Sequence, residues 1–223
     1  MKKTILPCFL LLVGFTLASC QTLDVVGTSA VNSFQKVLAA IPESVAADAD
    51  IGGWALTSPD GTTRFLWSQD FSQDAIYDAW LETQIDPFLE AGLDTGKLPE
   101  GMVHEGFLIL GVDFGNQTYA YKGEVTPLSS MEQIAVHHRQ SIGYHKALDH
   151  YGVDLTGGNM FEWAKNLETN DKDIVFVLDP QPFIAAGVDP ENVPGWLYAQ
   201  VEIMDGNGKP ILADKLLKPF DID

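Results

Sequence analysis

Short apolar runs bracketed by turn residues constrain this chain more than any other feature. Trp54-Ala55-Leu56-Thr57 and Thr63-Arg64-Phe65-Leu66-Trp67 flank Ser58-Pro59-Asp60-Gly61. Proline there presets φ and glycine supplies a positive one, so the two runs read as a hairpin. A second pair, Gly106 to Val112 and Gln117 to Tyr121, flanks Asp113-Phe114-Gly115-Asn116. Ile174-Val175-Phe176-Val177-Leu178 is a third strong run, ended by Asp179-Pro180. The unbroken apolarity of Phe107-Leu108-Ile109-Leu110 argues burial on both faces, as in interior strands. Leu197, Ala199, Val201 and Ile203 instead alternate with Tyr198, Gln200, Glu202 and Met204, which fits a strand with one wetter face. Asp205-Gly206-Asn207-Gly208 turns that strand toward Ile211-Leu212-Ala213.

Helical patterns fall between these runs. Ser72 is placed to cap a helix to about Ile85, and Asp86-Pro87 to start a short one reaching Gly92. A longer helix is predicted over 129–151, opened by Ser129 with Glu132 as a capping box, and a short one over 159–167. Residues 25–41 carry Val26, Ala30, Phe34, Val37, Leu38 and Ile41 near one helical face, stopped by Pro42. A spacer and a first helix packed on the core both fit that stripe. The alternation predicts an α+β fold: an antiparallel sheet of hairpins with helices packed mainly on one face. No sequence repeat is read behind it. Without a Ser/Gly-rich break after residue 51, residues 51–223 read as a single domain behind a leader over 20–50.

Charge excludes partners. The 223 residues hold 13 Lys and Arg against 31 Asp and Glu, a formal charge of -18. Phosphate backbones and anionic headgroups repel such a chain, so nucleic acid and polybasic membrane attachment are both disfavoured. The N-terminus nevertheless points to a membrane by another route. Met1-Lys2-Lys3 precedes an apolar run from Ile5 to Ala18, the anatomy of a secretory signal. Leu17-Ala18-Ser19-Cys20 at its end resembles the lipobox of bacterial lipoproteins. The resemblance covers residues 1–21 and implies removal of 1–19, lipid attachment at Cys20, and a chain held in the cell envelope by its acyl groups. Gln21 is not the acidic residue that retains some such proteins at the inner membrane, which implies the outer membrane where the organism has one. Cys8 then leaves with the signal and Cys20 carries lipid, so no thiol remains for a disulfide, a nucleophile or a zinc site.

Candidate chemistry concentrates in 129–151, which holds His137, His138, His145 and His150. On a helix His138 and His145 share the apolar arc, about 10 Å apart along the axis, too far to share one ion. Asp149, four residues past His145, is the local partner for a metal, and His104 the one histidine elsewhere that could join them. The weak metal candidates are therefore His145, Asp149, His138 and His104, against the plainer reading of hydrogen-bonded core histidines. Asp205-Gly206-Asn207-Gly208 fails the EF-hand pattern at Lys209, Pro210 and Leu216 and reads as a turn. No nucleophile elbow, Walker loop or dinucleotide fingerprint is present, so no catalytic residue and no cofactor is assigned. Trp54, Trp67, Trp80, Trp163 and Trp196, with Tyr119 and Tyr121, read either as core or as a stacking surface for a peptide or glycan. The proline-rich connection from Pro180 to Gly195 reads as a binding loop or a flap. The expectation is a non-enzymatic, lipid-anchored envelope protein that binds a ligand or partner protein. A metal-binding protein or metal-dependent enzyme built on 129–151 is the alternative.

Overall fold

A computed structural model describes residues 25–50, 52–69, 77–114, 123–167, 172–204 and 209–222. The lipobox, Tyr119, Tyr121 and the turn at 205–208 lie outside them. The first part of the chain gives α1 (Val25–Ala40), β1 (Val45–Asp48), β2 (Gly53–Thr57), β3 (Thr63–Ser68), β4 (Ala79–Gln84), α2 (Asp86–Glu90), β5 (Val103–His104) and β6 (Phe107–Val112). The second gives α3 (Pro127–His137), β7 (Ile142–His145), β8 (His150–Asp154), β9 (Met160–Ala164), β10 (Ile174–Leu178), α4 (Gln181–Ala185), β11 (Leu197–Met204) and β12 (Pro210–Phe220). The strands make two antiparallel sheets, ordered β1-β2-β3-β4-β6-β5 and β11-β12-β10-β9-β8-β7.

The α+β class and the antiparallel pairing are as expected, but two β-rich sheets enclose one core in place of a single sheet with helices on one face. Two predicted helices are replaced by strands and a third is cut short. Residues 79–84, the described end of the helix expected after Ser72, form β4. The helix expected over 159–167 is β9, where Phe161 and Trp163 point into the core and Met160 and Glu162 out of it, a period of two. The helix expected over 129–151 starts earlier, with Thr126 and Ser129 as the reciprocal capping box and Pro127 in the first turn. It ends at His137, and His138 already leaves helical geometry at φ -124°. Ile142, Gly143 and Tyr144 are poor helix formers, and they enter β7 instead.

A repeat runs through this order, contrary to the sequence reading. Pro87-Phe88-Leu89 and Ala91-Gly92-Leu93-Asp94 return as Pro182-Phe183-Ile184 and Ala186-Gly187-Val188-Asp189, followed by Leu98-Pro99 and Val193-Pro194. Phe65-Leu66-Trp67 on β3 returns as Phe161-Glu162-Trp163 on β9. The contacts between the two copies are reciprocal, the signature of a two-fold relation. Asp94 N–H donates to Ala186 O and Asp189 N–H to Ala91 O, both at 2.8 Å. Gly92 and Gly187 face one another at φ 101° and 102°, and a Cβ on either would lie within about 3 Å of the other's carbonyl oxygen, 2.9 Å and 3.0 Å. Phe65 stacks on Phe161 with ring centroids 4.0 Å apart, and Phe88 packs on Phe183 at 4.9 Å.

The long helices are exchanged across this relation. The indole of Trp67 on β3 donates to Pro127 O of α3, and that of Trp163 on β9 donates to Ala30 O of α1, both at 3.2 Å. Trp54 Nε1 donates to Ser130 Oγ, while Ser33 Oγ donates to Ala164 O. Each half thus lays its helix on the other half's sheet. Phe34 of α1 is fully buried against Trp67, Phe161 and Trp163. Of the two readings of 25–41, a helix packed on the core is the one the structure shows. Truncating a buried phenylalanine of this kind costs about 3–5 kcal/mol.

Candidate functional site

The outer face of the second sheet carries the candidate site. Alternation along five strands aims Gly143 and His145 of β7, Gly152 and Asp154 of β8, Met160 and Glu162 of β9, Val177 of β10 and Lys215 and Leu217 of β12 to this side. Here a cavity of about 420 Å³ opens, closed on its far flank by Val201 and Ile203 of β11 and on the near flank by Ala147 and Leu148 of the β7–β8 turn. That volume lies in the range that small-ligand sites occupy, roughly 300–1,000 Å³.

At its floor sits an ion cluster that local sequence spacing does not reveal. His145 and His150 are cross-strand partners, and Glu162 lies opposite Gly152 on the next strand. Glu162 is 2% exposed and accepts from both rings: Nδ1 of His145 in a short contact and Nδ1 of His150 at 3.4 Å. The other ring nitrogen of His145 faces Asp154 Oδ1 at 3.5 Å. Burial works against a charged ring, but the hydrogen bonds and charges of Asp154 and Glu162 overcome it and push His145 up to about 10. Burial likewise works against the Glu162 carboxylate, and the two histidines reverse that and hold it below its ordinary value. His145 is therefore an imidazolium with both N–H groups engaged. In that state it offers no lone pair to a metal ion or to a proton in transit.

Two glycines make the cluster possible. A Cβ on Gly143 would lie 2.9 Å from His145 Nε2, and one on Gly152 would lie 3.1 Å from Glu162 Cγ and 3.3 Å from His145 Cε1. The imidazole lies across the strands because both positions lack a side chain. Glycine inside a strand was the signal available in the sequence, together with a charged residue between two large aromatics at Phe161-Glu162-Trp163.

Lys215 completes the floor. It is 4% exposed, and its ammonium donates to Gly158 O at 2.7 Å, an approach open because Gly158 stands at φ 78° with only hydrogen on its α-carbon. Burial holds its pKa below the ordinary lysine value, with Asp179, Asp154 and Glu162 opposing from longer range.

The remaining candidates do not join this cluster. Asp149 closes the β7–β8 turn at φ 54°, where it accepts from Tyr144 Oη and faces Lys165 Nζ at 3.6 Å, away from His145. The helical i, i+4 pairing of His145 with Asp149 does not form because both residues are outside a helix. His138 is buried beside Phe114, ring centroids 4.1 Å apart, and burial with His137 nearby lowers it to about 4. His104 is exposed on β5, in the other sheet. Among the described residues no three His, Cys, Asp or Glu side chains converge as a metal site. Trp67 and Trp163 are fully buried, while Trp54 is partly buried, with its indole bonded to Ser130. Trp80 and Trp196 are 8% and 7% exposed. The Pro180–Gly195 connection folds as α4 and a turn that pack Phe183 and Val188 into the core. Among the described residues no helix is long and apolar enough to cross a membrane. In comparisons with known proteins, no family model, curated protein or solved structure matches this chain.

Proposed function

We propose that this protein is a lipid-anchored component of the bacterial cell envelope that binds a small ligand in the cavity over the second sheet and performs no chemistry on it. One observation carries the reading: a cavity with apolar walls has a buried carboxylate and a buried ammonium in its floor. Such groups weaken a fold unless they are compensated, and a surface recess that retains them is the usual form of a binding site. A histidine with both nitrogens engaged is not free to act as a general base, which favours binding over group transfer. The anchor follows from Leu17-Ala18-Ser19-Cys20 behind a basic start and an apolar core. Acyl chains add about 0.8 kcal/mol per buried methylene, so two or more of them hold a chain at a bilayer without help from its acidic surface.

The binding reading is tested with the neutral, environment-sensitive dye N-phenylnaphthylamine. The wild type should bind it with enhanced fluorescence, and Val201→Trp, which fills the cavity from β11, should abolish the enhancement. Equal enhancement in both proteins would overturn the assignment. The anchor is tested by labelling cells with a palmitate analogue, which should mark the wild type and leave Cys20→Ser unmarked.

A further inference from the structure

We infer that the ligand of this cavity is an amphiphile with one anionic head group, a carboxylate or phosphate, seated on Lys215 with its apolar chain along Met160, Val177, Val201, Ile203 and Leu217. The inference rests on the cavity being a ligand site and names the chemistry of what enters it.

Most charges at the floor are matched at close range. His145 is matched by Glu162 and Asp154, and Glu162 is further matched by His150. The neighbouring lysine on the same strand, Lys218, which faces the core side, pairs with Asp60 at 2.7 Å. Lys215 differs. Among the described residues no carboxylate lies within the 4.0 Å of an ion pair with it, and Gly158 O is its single hydrogen-bond acceptor. An ammonium has three N–H donors, so two remain for whatever occupies the cavity that Lys215 lines. A cation almost wholly removed from water with two open donors is a seat for an anion. Hydrogen bonds to charged groups are the stronger class.

The walls set the rest of the ligand. Met160, Val175, Val177 and Leu217 form an apolar cluster of their own on this face, separate from the main core, and Val201 and Ile203 extend it along β11. Lys146, Asn159 and Glu202 also line the cavity, but these apolar side chains flank Lys215 on both sides and suit a hydrocarbon chain, whereas a sugar or peptide laid over them would leave hydrogen-bonding groups unmatched.

The test uses the chain from residue 21 onward, which carries every described element, and reads displacement of N-phenylnaphthylamine below micelle-forming concentrations. Dodecanoate and dodecyl phosphate should displace the dye at about tenfold lower concentration than dodecanol or dodecyltrimethylammonium. The more potent of the two anions tells a free fatty acid from a phospholipid-type head. Lys215→Met should bring both anions to the level of the alcohol, and Lys215→Arg should retain their preference. If the alcohol or the cation matches the anions in the wild type, the anionic assignment is wrong while the cavity remains a ligand site. Failure of the wild type to bind the dye at all would remove both. Should Lys215→Met not fold, the wild-type series and Lys215→Arg decide the matter.

Discussion

The two sheets carry the same strands in the same register, yet their outer faces are chemical opposites. At the centre of the first, Leu66 lies opposite Ala55 and Trp80; at the equivalent place in the second, Glu162 lies opposite Gly152 and Val175. Trp80 covers Leu66, which is fully buried, and Tyr77 and Ile109 complete an apolar seal. One residue pair further along, the pattern inverts. Arg64 and Glu82 pair across β3 and β4, with Arg64 Nε donating to Glu82 Oε2 at 3.1 Å, where β9 and β10 place Met160 and Val177 in the cavity wall. A charged patch beside an apolar plug has become a charged floor beside an apolar wall. Fold stability is met by the first arrangement, so the second reflects a different requirement, which is the argument for reading it as a site.

The difference can be broken most severely from the sealed side. Leu66→Glu puts a carboxylate at a fully buried position that has no histidine across from it, and should cost more than about 4 kcal/mol in denaturant unfolding. The converse, Glu162→Leu, strands His145 and His150 and should cost about 3 kcal/mol. Adding His145→Met should recover much of that loss, because a buried group without its partner is worse than neither. If Glu162→Leu alone is neutral, the cluster is not the compensated ion network described above.

A smaller effect is expected from pH. His145 is raised from 6.5 to about 10, so its stabilising contribution is fully present below pH 6.5 and is lost as pH rises toward 10. Glu162 is lowered below 4.5, so its contribution is present above that value and falls away in acid. Melting temperature should therefore decline between pH 6.5 and 10, and His145→Gln should flatten that limb. The smallest effect separates the glycines. Gly152→Ala presses on Glu162 and His145 and should cost about 1–2 kcal/mol with a shift of the His145 imidazole resonances, whereas Ala55→Gly at the equivalent place should cost about 1 kcal/mol or less and leave them unmoved.

Elements defined by local turn chemistry were legible in the sequence: Ser58-Pro59-Asp60-Gly61 does join β2 to β3, and the apolar runs at 107–112 and 174–178 are interior strands. Elements whose identity depends on distant packing were not. Met131, Ile134 and Ile142 keep helical spacing across 129–142, but Ile142 pairs with Val153 on β8 once the chain turns at His138. The repeat was hidden for the reason that makes it informative: its matching residues hold the shared core, and its outer faces have diverged. The Glu162 cluster joins residues from three strands, and no spacing along one element encodes it. Gly143 and Gly152 were the readable trace, since a glycine within a strand marks something lying close above the backbone.

The exchange of helices has a kinetic consequence. During synthesis α1 emerges first with Phe34 and Val37 prepared for burial, but the Trp163 surface it must cover is made more than half a chain later. Until then neither half can close on itself, and the early chain presents an apolar stripe that must be shielded, as is usual where the native contacts are far apart in sequence. After closure the same arrangement works in reverse. Peeling α1 from β9 uncovers Phe161, which stacks on Phe65, so loosening one helix unsettles the packing between the sheets. Where such docking forms after the folding transition state it slows unfolding, and under fast cleavage resistance to proteases then follows the opening rate.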